Sequence, residues 1–280
     1  MNEILRVEGL NKNFTKKGFF KSKSEKVTAS DNVSFSLNDN EILAIAGQSG
    51  SGKSTIAKLI LRAIEPDSGK IFFEGAEVDS NSSNLKKLRM QCQMVYQDPY
   101  DSINPRMKIF DIISEPLEIH KIGTKEVRKK IVLDVLQQVR LEPANDIAKK
   151  YPHMLSGGQR QRVVIARALV VKPKMIIADE PVSMLDVSIR AEILELMSEI
   201  HNNNKISFIY ITHDLATAKY FADRIIILYE GKIVETGNVN DVLTKPKHPY
   251  TKALIEAISE PDPKNLYRER KISWKVEGSN

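Results

Sequence analysis

The segment 47–55, GQSGSGKST, has the residue types and spacing of a loop that binds phosphates. It fits the pattern G-x-x-x-x-G-K-[ST], with an apolar run before it and a helical apolar pattern after it. Glycines let backbone N–H groups approach phosphate oxygens, and the N-terminus of the next helix adds partial positive charge. The candidate binding residues are Gly47, Gln48, Ser49, Gly50, Ser51, Gly52, Lys53, Ser54 and Thr55. Lys53 would reach the β- and γ-phosphates of a nucleoside triphosphate, and the Ser54 hydroxyl would bind Mg²⁺.

Two carboxylates end another apolar run, KMIIADE at 174–180. Asp179 is suited to hold Mg²⁺ through water, and Glu180 can orient or deprotonate an attacking water molecule. An aspartate at a strand end often caps a helix instead, so the pair indicates catalysis only in combination with the phosphate loop.

Two further polar residues could complete such a site. His213 in YITHD ends a later apolar run and would donate a hydrogen bond near a γ-phosphate, although a histidine there is often structural. Gln97 in MVYQDP could reach Mg²⁺ or the water with its amide, and the alternative is a polar turn residue before Asp98 and Pro99.

A second glycine pair occurs in LSGGQ at 155–159. Ser156 is a good helix N-cap, Gly157 and Gly158 expose backbone N–H groups, and Gln159 opens a helical pattern. This segment is therefore expected to bind an anion. Because the phosphate loop and its cation already surround one triphosphate, the second set of donors is expected to face a nucleotide held by a partner chain.

These segments need a scaffold of alternating strands and helices. Short β-rich runs lie at 4–10, 33–37 and 41–46, and strand and helix patterns alternate after residue 156. This order predicts an α/β fold with a mainly parallel sheet whose ligands gather at the carboxyl ends of its strands. The expected division is a nucleotide-binding core at 1–97 and 156–240, an inserted helical subdomain at 98–155 and a C-terminal extension at 241–280.

Composition limits the possible classes of protein. The chain has 280 residues, 41% of them hydrophobic, and a formal net charge of +6. The only basic run, KKGFFKSKSEK at 16–26, favours a solvated loop over a nucleic-acid surface. The single cysteine, Cys92, excludes an intrachain disulfide. No apolar run is long enough to span a bilayer, so a soluble or membrane-peripheral protein is expected.

Taken together, the motifs resemble those of an ATP-binding-cassette ATPase over about residues 3–260, with LSGGQ as the most specific of them. The resemblance implies a P-loop NTPase (RecA-like) core with a mainly parallel sheet, an antiparallel β subdomain and an inserted α-helical subdomain. It also implies ATP and Mg²⁺ as cofactors, and head-to-tail pairing of two cassettes. In that arrangement Ser156 and Gly158 contact a γ-phosphate in trans, and Asp186 of SMLD crosses the interface.

The family stacks adenine on an aromatic residue ahead of the phosphate loop. Phe14 in LNKNF is the candidate, and Phe19 or Phe20 in the following GFF segment are alternatives.

Finer resemblance indicates the oligopeptide/dipeptide/nickel importers. The segments QDPYDSINPRMKIFDIISEPL, ADEPVSMLDVSIRAEIL and HPYTKALIEAI carry it, and 104–107 is similar to the second ATPase of such systems. It implies a related but different ATPase as heterodimer partner, two membrane permease subunits, an extracellular solute-binding protein, and a place at the cytoplasmic face of the membrane.

The transported solute and the class of protein leave alternatives. Uptake of oligopeptides or dipeptides is expected, and oligosaccharides or nickel remain possible solutes. A soluble cassette protein acting on DNA or ribosomes is less favoured, because only a short helical segment interrupts the core. A kinase is also disfavoured, because Glu180 and His213 suit attack by water. No nucleic-acid partner is expected.

Overall fold

The computed structural model of the protein describes residues 2–16, 25–80 and 83–259. Within these ranges the chain forms two sheets, with helices between and after their strands. None of the described helices combines the length and the apolar character that a membrane crossing requires.

The first sheet is antiparallel and consists of β1 (Glu3–Lys16), β2 (Glu25–Asn38), β4 (Ser68–Phe73) and β5 (Ala76–Glu77), in the order β2-β1-β4-β5. Strands β1 and β2 extend well beyond the expected runs at 4–10 and 33–37. Register shifts follow Val7 and Leu10, and pairing then continues through Phe14 opposite Val27 to the end of β1. Phe14 therefore lies within a strand.

The second sheet consists of β3 (Ile42–Ala46), β6 (Cys92–Val95), β7 (Met175–Asp179), β8 (Ser207–Thr212), β9 (Arg224–Tyr229) and β10 (Lys232–Asn238), in the order β10-β9-β3-β8-β7-β6. All its pairings are parallel except that of β10 with β9. Every residue of β3, β7 and β8 is buried, as expected for strands covered on both faces. The mainly parallel core is confirmed, although the sequence interpretation did not identify β6.

Helices of the core are α1 (Lys53–Ile60), α2 (Ser83–Gln91), α7 (Gly157–Leu169), α8 (Val187–Asn204), α9 (Leu215–Phe221), α10 (Val239–Thr244) and α11 (Pro249–Ser259). Alternate residues of β3 enter two different hydrophobic clusters, since side chains of a strand point to opposite faces. Leu43 and Ile45 pack with α1 and the antiparallel sheet, and Ala44 and Ala46 join the cluster of α7 and α8. The parallel sheet is thus the middle layer.

Between β6 and α7 the chain forms α3 (Pro99–Ser102), α4 (Ile109–Ile119), α5 (Lys125–Gln138), α6 (Ala144–Ile147) and a 3-10 turn (Pro152–Met154). No strand occurs in this segment, all of which is described. Ile112 of α4 and Val132 of α5 are buried in the same cluster as α7 and α8. The division at 98–155 therefore stays a prediction, because the hydrophobic core is continuous across it.

Helix α1 is shorter than the apolar pattern STIAKLILRAI predicts. It ends at Ile60, and Arg62 adopts a left-handed φ of 50°. The Arg62 guanidinium then donates to the Val78 carbonyl at 2.7 and 3.1 Å. This tertiary contact redirects the chain before Pro66 is reached.

Candidate functional site

Four adjacent parallel strands end at the same edge of the second sheet, and each leads to a residue selected from the sequence. Strand β3 leads to the loop 47–55, β6 to Gln97, β7 to Asp179 and Glu180, and β8 to His213. Parallel strands place their carboxyl ends together, which is where α/β sheets bind ligands. The structure therefore brings these predicted site residues to one place.

The phosphate loop is held so tightly that two of its positions admit only glycine. A Cβ at Gly47 would overlap the Leu228 carbonyl oxygen, and one at Gly52 would overlap the Ala29 carbonyl oxygen. Gly52 also has a φ of 105°, in the left-handed region that side chains disfavour. The loop is thus fixed between β2 and β9 with its backbone against theirs.

Lys53 opens α1, and its ammonium folds back over the loop. It is 5% exposed, and its Nζ donates to the carbonyls of Gly47 and Gln48, both at 2.8 Å. Burial lowers the pKa of Lys53, while the carboxylates of Glu180 and Asp179 oppose that shift. The Ser51 hydroxyl is buried with no hydrogen-bond partner in the described chain, so it is available to a ligand of the loop.

Ser54 and Asp179 form the part of the site that fits a hard cation. The Ser54 hydroxyl donates to Oδ1 of Asp179 at 3.1 Å. Burial raises the pKa of Asp179, and the Ser54 hydrogen bond partly offsets that rise. A buried carboxylate beside a hydroxyl offers the oxygen donors that Mg²⁺ takes, and a bound cation would relieve the cost of burying the charge.

Gln97, Glu180 and His213 meet on a single oxygen. Oε2 of Glu180 accepts from the Gln97 amide at 3.2 Å and contacts Nδ1 of His213 at 3.0 Å. The hydrogen bond from His213 lowers the pKa of Glu180, and the same bond raises the pKa of His213. The Glu180 carboxylate is thereby kept ionised.

The backbone around Glu180 explains how β7 and β8 bring these groups together. Glu180 adopts a left-handed φ of 48°, unusual for a residue with a side chain. Its N–H donates to the Ile211 carbonyl at 2.9 Å, two residues before His213. Such conformations cost of the order of 1–3 kcal/mol and cluster at functional sites.

A cleft of about 770 Å³ is lined by the phosphate loop together with Phe14, Glu180 and His213. Phe14 is 40% exposed, and the Lys12 ammonium lies 5.8 Å from its ring centre. Val27 and Ala29 line the same part of the cleft. A flat apolar group at this end would suit a nucleobase, so the structure leaves Phe14 as the candidate. Phe19 and Phe20 lie outside the described residues.

Helix α11 also lines the cleft, which the sequence interpretation missed. Leu254 and Ala257 border it, and the Tyr250 hydroxyl accepts a hydrogen bond from the Gln48 N–H at 3.1 Å. The segment HPYTKALIEAI had indicated only a helix and a family resemblance. A possible signal was its apolar spacing at 250, 254 and 257, which marks one face of a helix turned inward.

The second glycine segment does not join this cleft, whose lining among the described residues omits Ser156, Gly157, Gly158 and Gln159. Ser156 is the N-cap of α7: its Oγ accepts from the Gln159 N–H at 3.3 Å, and its own N–H donates to the Gln159 side chain at 3.1 Å. The expected N-cap is therefore present. A Cβ on Gly158 would press on Ile189 of α8.

Asp186 lies beside this segment, at the N-terminal end of α8. Its side chain is exposed, and so are the neighbouring Met184 and Val187, at 63% and 81%. Leu185 lies 3.7 Å from the position a Cβ would take on Gly157. Asp186 and LSGGQ thus lie side by side, with Ser156 and Asp186 exposed, and neither segment lines the phosphate-loop cleft.

Comparison with protein families gives two matches. The family described as ABC transporter matches residues 30–183, and the family described as oligopeptide/dipeptide transporter, C-terminal region, matches residues 234–277. The first match spans the phosphate loop, Gln97, LSGGQ and Glu180. The second spans the segment that contains Tyr250 and Leu254.

Individual relatives agree. The chain is 46% identical over 247 residues to the oligopeptide transport ATP-binding protein OppF of Streptococcus mutans, covering 88% of this chain and 80% of OppF. It is 43% identical over 270 residues to the dipeptide transport ATP-binding protein DppF of Haemophilus influenzae, covering 95% and 81%. A solved dimer of the ATP-binding cassette MJ0796 in a post-hydrolysis state with ADP and Pi is 28% identical, with a TM-score of 0.72 over 84% of this chain and 99% of that one. The chain belongs to the ABC transporter family, as an ATP-binding cassette ATPase.

Proposed function

We propose that this chain powers uptake of oligopeptides or dipeptides by hydrolysing ATP in the phosphate-loop cleft when a second cassette closes over it. The observation that carries the proposal is the convergence of Gln97 and His213 on one oxygen of Glu180, next to the buried Lys53. A carboxylate held in this way is suited to activate water at the open side of a phosphate site.

Binding of the triphosphate follows from the loop. Backbone N–H groups of 50–55 and the Lys53 ammonium are the donors for its oxygens, and Ser51 adds a hydroxyl that has no other partner within the described residues. Lys53 now bonds to two loop carbonyls, so it exchanges neutral acceptors for charged ones when phosphate enters. Phe14 is proposed to stack on adenine at the far end.

Hydrolysis is assigned to Glu180. Its carboxylate accepts a proton from water while the water oxygen bonds to the γ-phosphorus and the bond from that phosphorus to the bridging oxygen breaks. His213 orients the carboxylate and can donate to the γ-phosphate, and Gln97 couples the site to the helical segment that begins at Pro99. Ser54, Asp179 and Gln97 would hold Mg²⁺, which neutralises charge on the phosphates when bound.

A second cassette is proposed because LSGGQ does not line the cleft. Ser156, Gly157, Gly158 and Gln159 are proposed to contact the γ-phosphate of the partner's nucleotide, with Asp186 crossing the interface. The exposure of Met184 and Val187 beside them supports burial of this surface by another protein. The partner is proposed to be a related, different ATPase, which makes the pair a heterodimer.

Contact with two membrane permease subunits is assigned to a groove of about 330 Å³ between β6 and the helical segment. Tyr96 and Ile119 line it and are 45% and 68% exposed, and Met90 nearby is 38% exposed. Tyr96, which lines the groove, is the neighbour of Gln97, and the Gln97 amide donates to the Glu180 oxygen. Movement of a permease element in the groove would therefore be transmitted to Glu180 by Gln97. The chain is accordingly proposed to act at the cytoplasmic face of the membrane.

The solute is proposed from the relatives, which are named for oligopeptide and dipeptide transport. Oligosaccharides and nickel are the alternative solutes. An extracellular solute-binding protein would deliver the solute to the permeases and would not contact this chain.

The test is to purify the chain with its membrane partners and identify the subunits by mass spectrometry. Phosphate release by the assembly in vesicles should then rise when peptide and the solute-binding protein are added. Stimulation by an oligosaccharide or by nickel in place of peptide would reassign the solute, and the absence of any integral membrane partner would contradict the transport role.

A further inference from the structure

The feature that the site chemistry does not use is the contact between α11 and the phosphate loop. Tyr250 is fully buried, and its hydroxyl accepts the N–H of Gln48, the second residue of that loop, at 3.1 Å. Burial raises the pKa of Tyr250, so the hydroxyl stays protonated and neutral at physiological pH. Gln48 and Tyr250 are 202 residues apart in the sequence. The phosphate loop is therefore hydrogen-bonded to a helix from a distant part of the chain.

Tyr250 is held in place by the turn that precedes it. The N–H groups of Lys247 and His248 donate to the Glu235 carboxylate of β10 at 2.8 and 3.0 Å. The N–H of Tyr250 in turn donates to Nδ1 of His248 at 3.1 Å. The start of α11 is thus fixed to β10 by two hydrogen bonds, and a third within the turn ties Tyr250 to His248.

Tyr250 also packs against the end of β9, the strand whose backbone touches the start of the phosphate loop. Its ring centre lies 4.2 Å from that of Tyr229, the last residue of β9. Tyr229 follows Leu228, whose carbonyl prevents a side chain at Gly47. Gly47 and Gln48, the first two residues of the loop, are therefore set by β9 and α11 together.

Farther along α11, Leu254 and Ala257 reach the cleft itself. They lie four and seven residues after Tyr250, on the same face of the helix, and they border the cleft that Phe14 and Val27 also line. Lys252 lies off this face and is exposed. One face of α11 thus combines a bond to the loop with an apolar boundary of the cleft.

We propose that α11 is a wall of the nucleotide site: Tyr250 is a positioning residue for the phosphate loop, and Leu254 with Ala257 bounds the nucleotide. This inference rests on the proposed binding of ATP in that cleft. It implies that nucleotide affinity depends on the C-terminal region and, since coupling is reciprocal, that nucleotide stabilises the docked position of α11.

The first test compares Tyr250→Phe with Tyr229→Phe in the full chain by calorimetric titration with Mg-ATP. Tyr250→Phe keeps the buried ring but leaves the Gln48 N–H without its acceptor, so the Kd should rise roughly two- to tenfold. Tyr229→Phe is the control, because it removes a hydroxyl that lies beside Glu230 and keeps the ring that packs on Tyr250. Its Kd for Mg-ATP should match that of the unmodified chain. A role in folding alone would lower the melting temperature of Tyr250→Phe and leave its Kd unchanged.

The second test uses Ala257→Glu and the matched control Lys252→Glu on the exposed side of the same helix. Ala257→Glu places a carboxylate in the cleft wall and should weaken ATP binding more than Tyr250→Phe does. Lys252→Glu changes the charge of the helix without entering the cleft, so it should bind ATP as the unmodified chain does.

The outcomes separate the inference from the function on which it rests. If the unmodified chain binds Mg-ATP and both Tyr250→Phe and Ala257→Glu bind it equally well, α11 is not part of the site and the inference is wrong. If the unmodified chain fails to bind Mg-ATP, or binds it as well after Lys53→Ala, the proposed function is wrong and the inference falls with it.

Discussion

The two glycine-rich segments of this protein look alike as sequence and differ in how the fold surrounds them. The loop 47–55 is enclosed: Lys53 is buried, Gly47 and Gly52 touch backbone of other strands, and Tyr250 bonds to its second residue. The segment 155–159 is bounded by α8, and Ser156 and Gln159 satisfy each other in a capping box. The cleft residues proposed to act on the nucleotide surround the loop 47–55, whereas the backbone N–H groups of 155–159 lie outside that cleft.

This contrast indicates how the work of the protein is divided. An enclosed loop can bind a nucleotide by itself, whereas the preformed end of α7 is proposed to add contacts to a nucleotide that another chain holds. Substitutions in the first region should therefore act within one chain, and those in the second should act only in the pair.

The largest effect is expected from Glu180→Gln, which removes the base and retains the shape of the side chain. Loss of a general base lowers rates by about 10²- to 10⁴-fold, so phosphate release by the assembled transporter should fall by that factor. Binding of ATP should persist and the paired state should accumulate. Size-exclusion chromatography with ATP, alongside a phosphate-release assay, measures both; a variant that binds ATP without stabilising the pair would contradict the assignment.

Lys53→Ala should act one step earlier, on nucleotide binding itself. Hydrogen bonds to charged groups contribute about 1.5–3 kcal/mol, so the Kd for ATP should rise roughly ten- to a hundredfold. Calorimetric titration of the single chain measures this. Lys58→Ala, an exposed lysine on the same helix, is the control and should change the Kd little.

How far the sequence predicts this site depends on whether neighbours in the sequence or in space determine each part. Lys53, Ser54 and the Ser156 cap follow from local spacing, because a helix start dictates its own hydrogen bonds. The meeting of His213 with Glu180 follows from the rule that parallel strands end at one edge. Both were foreseeable without the structure, whereas the place of Gln97 was not, because the sequence interpretation did not identify β6.

Other parts depend on long-range contacts that no local pattern encodes. Arg62 ends α1 early through a bond to Val78, and Phe14 enters a strand because Val27 lies opposite. Tyr250 reaches Gln48 from the far end of the chain. A helical apolar pattern shows that such a helix has an inward face, but it does not show which surface that face covers.

Ser156→Ala tests the exposed segment. Removal of a serine N-cap costs about 1 kcal/mol, so the free energy of unfolding in urea should fall by that amount while the single chain binds ATP unchanged. The ATP-dependent pairing should weaken, because the hydroxyl is proposed also to contact the partner's nucleotide. Thr124→Ala is the matched control: Thr124 caps α5, away from that surface, and it should lose stability without losing pairing. Equal loss of pairing in both variants would contradict the proposed contact between Ser156 and the partner's nucleotide.

The smallest effect is expected in the pH dependence of the free energy of unfolding, through His213 and Glu180 in the cleft. The pKa of His213 is raised by its hydrogen bond to Glu180, so its contribution to stability is full below the usual pKa of about 6.5 and is lost as pH rises through the raised value. The pKa of Glu180 is lowered, so its contribution is present above about 4.3 and is lost only as pH falls through the lowered value. Both groups are charged in the window between these limits.

In the nucleotide-free and metal-free protein, the free energy of unfolding should therefore fall from about pH 6 to about pH 9 by more in the unmodified chain than in His213→Asn. The difference should stay below about 1 kcal/mol, because the His213 side chain is 57% exposed and solvent screens the pair. Urea titrations at both pH values measure it. His153→Asn alters an exposed histidine that stacks on Tyr151, and it should follow the unmodified chain. If His213→Asn shows the same dependence as His153→Asn, the ion pair with Glu180 does not form before nucleotide binds.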